Sequence, residues 1–195
     1  MRSGEVYEHP FERLVVRVGT AETDGAELVA DLYVPADAPG TPRHIHPNMA
    51  ETLTVIRGKV SAWSSDGGER ILGPGETMHV PPNSGHGWHP VGGEEVRMLV
   101  EVRPGARFEE MWRQFMGLFQ DGKAGSRGPG FLQIMVMAHE FPDVMAIAGP
   151  PLFVQRALAA LITPIGRLLG YEGRYEEYLT RGPSELVEPE PLPEY

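Results

Sequence analysis

The chain has 195 residues, 41% hydrophobic and 23% charged, which suits one soluble globular domain, or one with an appendage, and is enough to bury a core. A formal net charge of −10 leaves no basic face for non-specific nucleic-acid binding, so no nucleic-acid partner is expected. The chain contains no cysteine, which excludes disulfides, thiolate metal sites and cysteine nucleophiles; any metal must be held by His, Asp or Glu.

The first residues, MRSGEVYEHPFERLVV, lack an apolar stretch of signal-peptide length, and a cytoplasmic setting is expected. Short alternating runs follow at 13–18, 26–34, 51–58, 59–63, 77–80 and 96–102. Turn clusters such as PADAPG, SSDGG, PPNSG and VGG separate them. Many short strands at this spacing predict a β-sandwich or barrel over residues 1–103.

Beyond RPGARF the period changes. Phe108, Met111, Trp112, Phe115, Met116 and Phe119 recur at intervals of three and four, which predicts an amphipathic helix. Residues 131–141 read as a second, nearly apolar helix, in which His139 is expected to be buried and bonded to backbone. Residues 150–170 start with Pro and end at Gly, as helices prefer, and Pro164 is expected to kink or split that helix. The run ALAALITPIGRLLG is interrupted by Pro164 and carries Arg167, so no membrane span is expected. Residues 104–180 therefore form a helical extension, and 181–195 a flexible acidic, Pro-rich tail. Apolar helices need cover in water. They are expected to pack on the barrel or between subunits, and the chain to be a homodimer.

One stretch of the β half carries chemistry. In GTPRHIHPNMAETLTVIRG, His44 and His46 are two apart, so on a strand both face the same side. The turn PNMA then allows Glu51, opening the next strand, to return to the same patch. His86, after the Pro- and Gly-rich bend of GETMHVPPNSGHGWHP, offers a fourth ligand. Imidazoles with a carboxylate suit one divalent transition ion, and affinity alone does not choose among Fe, Mn, Ni, Co and Zn.

The run Gly40-x3-His44-x-His46-x4-Glu51-x6-Gly58 resembles the first signature of the cupin superfamily, and Gly75-x5-Pro81-x-Asn83-x2-His86-x3-Pro90 resembles the second. Asn83 stands where the second signature has glycine, and Asn also tolerates the left-handed conformation such a turn needs. The resemblance implies a mainly β fold, a cupin-type jelly-roll β-barrel followed by a C-terminal α-helical extension, with a 3-His/1-Glu metal site inside. It is a resemblance to single-domain bacterial cupins with helical extensions.

Met49, Trp63, His79 and Trp88 are candidates for a pocket wall around that site. No independent acid or base can be named. Two coordination positions left open, with Fe(II) favoured, imply a dioxygenase acting on a small organic, aromatic or enediol-like substrate. Mn, Ni, Zn or Co would instead suit a metal-dependent isomerase, cyclase or decarboxylase. A non-catalytic small-molecule-binding cupin is the reading from a different class.

Overall fold

Alternation of apolar and polar side chains builds two facing sheets. The computed structural model describes residues 1–126 and 128–194. Ten strands come first: β1 (Glu5–His9), β2 (Glu12–Val18), β3 (Leu28–Val34), β4 (Thr41–Ile45), β5 (Ala50–Arg57), β6 (Lys59–Ser64), β7 (Gly68–Leu72), β8 (Thr77–Val80), β9 (Gly85–Val91) and β10 (Val96–Arg103). Then come α1 (Ala106–Gln120), a small ribbon of β11 (Ala124–Gly125) and β12 (Gly128–Pro129), α2 (Phe131–Glu140), β13 (Ala146–Ile147), α3 (Leu152–Leu168), α4 (Glu176–Thr180) and β14 (Glu185–Leu186).

The larger sheet has the order β14-β1-β2-β3-β10-β5-β8 and the smaller one β13-β4-β9-β6-β7, with antiparallel neighbours throughout. Sequence neighbours such as β3 and β4 lie in different sheets, and this crossing makes the jelly roll. The inward positions are every second residue of each strand. Leu28, Ala30, Leu32 and Val34 of β3 meet Leu53 and Val55 of β5, Val60 and Ala62 of β6, and Met98 and Val100 of β10 in one core.

The helical half closes that core at one end. Phe108, Met111, Trp112 and Met116 from α1, with Phe141 and Val144 after α2, belong to the same buried cluster as the barrel residues. No helix among the described residues is long and apolar enough to cross a membrane.

Three expectations need correction. Helix α3 runs unbroken through Pro164. Proline's fixed φ is compatible with a helix, and the local cost is a lost hydrogen bond and the crowding of its ring on the carbonyl four residues back. Packing of α3 on α2 through Ala159, Thr163 and Gly166 holds the two halves in one helix, so Pro164 does not split it. That approach is close: a Cβ on Gly166 would lie 2.4 Å from Val136 Cγ2. His139 is exposed rather than buried, since α2 turns its other face inward.

The C-terminal tail is not loose. Glu185 and Leu186 pair with Val6 and Glu5 of β1, and Val187 packs on Val6, Val15 and Tyr33 on the outer face of the larger sheet. Beside them lies a buried ion cluster. Arg97 Nε donates to Asp31 Oδ1 at 3.1 Å, while its Nη1 donates to Glu190 Oε2 at 3.0 Å. Arg17 Nε lies 2.7 Å from Asp31 Oδ2, an ion pair off the hydrogen-bond line. The tail is thus held by charges far away in sequence.

Asp31 is fully buried and neutralises two guanidinium groups. Asp31→Ala leaves both cations in a largely dry setting and is expected to cost about 3–5 kcal/mol. A urea titration checks this, and a midpoint like that of the wild type would show that water already satisfies the arginines.

Candidate metal centre

Strand parity and sheet pairing together assemble the site. On β4 and just past its end, His44 and His46 face inward, and His44 is directly opposite His86 on β9. All three imidazoles therefore come from the smaller sheet. Glu51 faces them from β5 in the larger sheet, on the same inner face as Leu53 and Val55. The bend before His86 is held by Asn83, whose φ is +66° and whose N–H donates to the His46 carbonyl at 2.7 Å. Gly40 is needed for contact as well as conformation, because a Cβ there would lie 2.3 Å from the Trp88 carbonyl oxygen.

The four ligand atoms all lie within 4.8 Å of one another, and all four residues are buried. His44 Nε2 and His46 Nε2 are 3.1 Å apart. His86 Nε2 is 2.6 Å, and His46 Nε2 3.5 Å, from Glu51 Oε2. On the far side of each ring, His44 Nδ1 donates to the Pro42 carbonyl (2.8 Å), His46 Nδ1 to the Val144 carbonyl (2.7 Å) and His86 Nδ1, more weakly, to the Ser84 carbonyl (3.3 Å).

These contacts fix the tautomers. A carbonyl can only accept, so each Nδ1 carries the hydrogen and each Nε2 turns a lone pair inward. With all three rings neutral, three lone pairs and a carboxylate oxygen would face one another with no donor among them. Such a set is favourable only around a proton or a metal cation. The spacing suits the latter: two nitrogens about 2.1 Å from one ion and at right angles sit about 3 Å apart. The residues present therefore fit a metal ion, and this cluster can hold one.

Ionisation follows the same geometry. Burial would raise the Glu51 carboxyl, but the contacts with His46 and His86 outweigh it and hold the group well below the usual carboxylate range. Burial opposes charge on His46, yet the Glu51 contact and the Val144 carbonyl outweigh it and raise its pKa. His44 is pulled down to about 3, chiefly by burial and then by the other two imidazoles.

Around the ligands, Met49 and Trp88 are buried in the core. Phe108 of α1 meets His46 edge to face, with centroids 5.6 Å apart. Two expected pocket residues lie elsewhere. Trp63 is on the outer face of β6, half-buried under the Arg43 guanidinium at 4.3 Å, because the inward positions of that strand are Val60 and Ala62. His79 is exposed and bonded to Thr52 Oγ1 at 3.0 Å, since Met78 and Val80 take the inner face. The Phe108 ring and the Val144 carbonyl were not foreseen as parts of the site.

A jelly roll of two antiparallel sheets, with three histidines and one carboxylate converging inside, defines a double-stranded β-barrel with a candidate metal site. Residues 32–102 match the family model described as Cupin domain, so the barrel contains a cupin domain. In structure it is similar to an uncharacterised conserved protein with a double-stranded beta-helix domain from Klebsiella pneumoniae (22% identity, 50% of this chain and 76% of that chain, TM-score 0.43). It is also similar to a predicted oxalate decarboxylase from Thermotoga maritima (14% identity, 51% and 92%, TM-score 0.46). A third is ectoine synthase from P. lautus (15% identity, 52% and 70%, TM-score 0.44). No curated protein matches the chain in sequence.

The ionisation pattern gives the metal-free protein a defined acid response. Between about 3 and the ordinary imidazole value of roughly 6.5, the unfolded chain binds a proton at His44 that the folded chain does not. Stability therefore falls as pH drops through that window, and Glu51 adds to the fall below the usual carboxylate range. His46 has the opposite sign: its contribution is complete below roughly 6.5 and is lost as pH rises through its raised value. The urea midpoint of stripped protein, followed by tryptophan fluorescence, is expected to drop between about pH 6.5 and 4. The drop should be smaller in His44→Gln; equal drops would place the acid sensitivity elsewhere.

Proposed function

We propose that the protein is a metal-dependent enzyme of dioxygenase type, acting on a small organic substrate of aromatic or enediol-like character. One observation carries the reading: His44, His46, His86 and Glu51 present inward lone pairs and one carboxylate oxygen in a buried cluster with no internal donor. A divalent ion held there supplies Lewis acidity and, as Fe(II), the electrons that dioxygen chemistry needs. Three neutral ligands and one anion leave net positive charge at such an ion, which favours an anionic oxygen of an enediol or phenol over a neutral group.

The chain's own residues do the rest. The carbonyls of Pro42, Val144 and Ser84 hold the Nδ1 hydrogens, so that the inner nitrogens are aimed at the position an ion would take. Glu51, tied to His46 and His86, offsets charge and can take a proton at Oε2 if its hold on an ion loosens. Met49, Trp88 and Phe108 exclude water and give an apolar surface to a planar substrate. Its partners in this reading are that substrate and a second copy of the chain.

The test is elemental analysis of tag-free protein purified without chelator, beside a His44→Ala/His86→Ala double variant. Iron near one equivalent per chain, lost in the variant, with oxygen uptake on phenolic or enediol substrates, is the expected result. Manganese, nickel, zinc or cobalt without oxygen uptake would shift the reading to an isomerase, cyclase or decarboxylase. No metal in either protein after reconstitution would overturn it and leave a non-catalytic binding cupin.

A further inference from the structure

Helix α3 buries one face and leaves the other bare. Ala159, Thr163 and Gly166 face α2. On the opposite side Val154, Leu158, Leu161, Ile165 and Leu168 follow one another at steps of four, three, four and three, the spacing of a coiled-coil seam. All five are exposed, Leu161 at 74%, Ile165 at 56% and Leu168 at 87%. Phe153 and Leu169 widen the stripe.

On α3 the positions flanking the seam are Gln155, Ala157, Ile162 and Pro164, none of them charged. Arg156 and Arg167 lie off it. No like charges therefore oppose one another when two such helices meet, in either direction. The seam extends evenly to either side of Leu161, so two copies can meet along its whole length across a two-fold axis. At roughly 200 Å² for a fully exposed large apolar side chain, these fractions amount to on the order of 800 Å². That exceeds the largest patch of a typical monomer, about 300–600 Å², and equals what one partner of a standard interface buries, about 800 Å². An anionic lipid surface is the poorer match, because the chain carries a net charge of −10 and the helix only two arginines.

We propose that α3 is a dimerisation helix, its Val154-Leu158-Leu161-Ile165-Leu168 seam packing on the same seam of a second copy across a two-fold axis. This rests on the homodimer reading above and names its surface. The barrel and its metal ligands stay outside the contact. Since α3 packs on α2, each copy brings a helical hairpin, and the interface is a four-helix arrangement.

Light scattering on the full chain, with and without Leu161→Glu/Leu168→Glu, tests the proposal. The wild type is expected at twice the chain mass, and the variant as a folded monomer whose dimer dissociation constant is raised at least about 100-fold. A wild-type monomer at every concentration would overturn both the seam and the homodimer reading. A dimer that persists in the variant would overturn the seam alone. Because the chain has no cysteine, a second measurement does not depend on how the charged variant folds. Leu161→Cys meets its own copy at the axis in either helix direction and should form a disulfide-linked dimer under mild oxidation, whereas Arg167→Cys should not. Equal cross-linking of the two would also reject the seam.

Discussion

Mutual repulsion of lone pairs inside an apolar barrel is the constraint on which this structure turns. Three Nε2 atoms and Glu51 Oε2 are packed at hydrogen-bonding distances, while carbonyls on the outer side hold the ring protons away from the cluster. Sheet pairing fixes the backbones, so the side chains have little room to move apart. The fold thereby stores an unmet need for positive charge, which a proton or a divalent ion can meet.

That arrangement depends on the helical half as much as on the barrel. Val144, which orients His46, lies beyond α2, and β13 pairs with the very strand that carries His44. Phe108 then covers His46 from α1. The extension is therefore part of the site and of the core. The helices divide the work: α1 faces the barrel, whereas α3 turns its largest apolar side chains to solvent.

The convergence of His44, His46, Glu51 and His86 was legible because a strand has a strict period of two and because their spacing fits two known signatures. Parity could also have excluded His79, which sits between apolar Met78 and Val80. Trp63 misled for a different reason: its size suggests the interior, yet small Val60 and Ala62 fill the inner positions of β6 and Arg43 covers the ring outside. The Val144 carbonyl leaves no trace in sequence, since any residue supplies one. The tail deceived because its proline and glutamate content reads as solvated chain, while its partners, Arg17 and Arg97, lie far from it in sequence. Helix α3 is apolar on too many positions for sequence to say which side would stay bare.

The two short strands β13 and β14 each cap an edge, one beside β4 and the other beside β1. Both come from the last third of the chain, after all ten barrel strands. On the ribosome the barrel strands emerge first, and their unpaired N–H and C=O rows are open until the C-terminal half follows. The nascent chain thus passes through a stage in which the strand that carries His44 is an exposed sheet edge. Slow or interrupted synthesis past β10 would leave a product prone to edge-to-edge aggregation, and a chaperone that shields such edges would decide its yield.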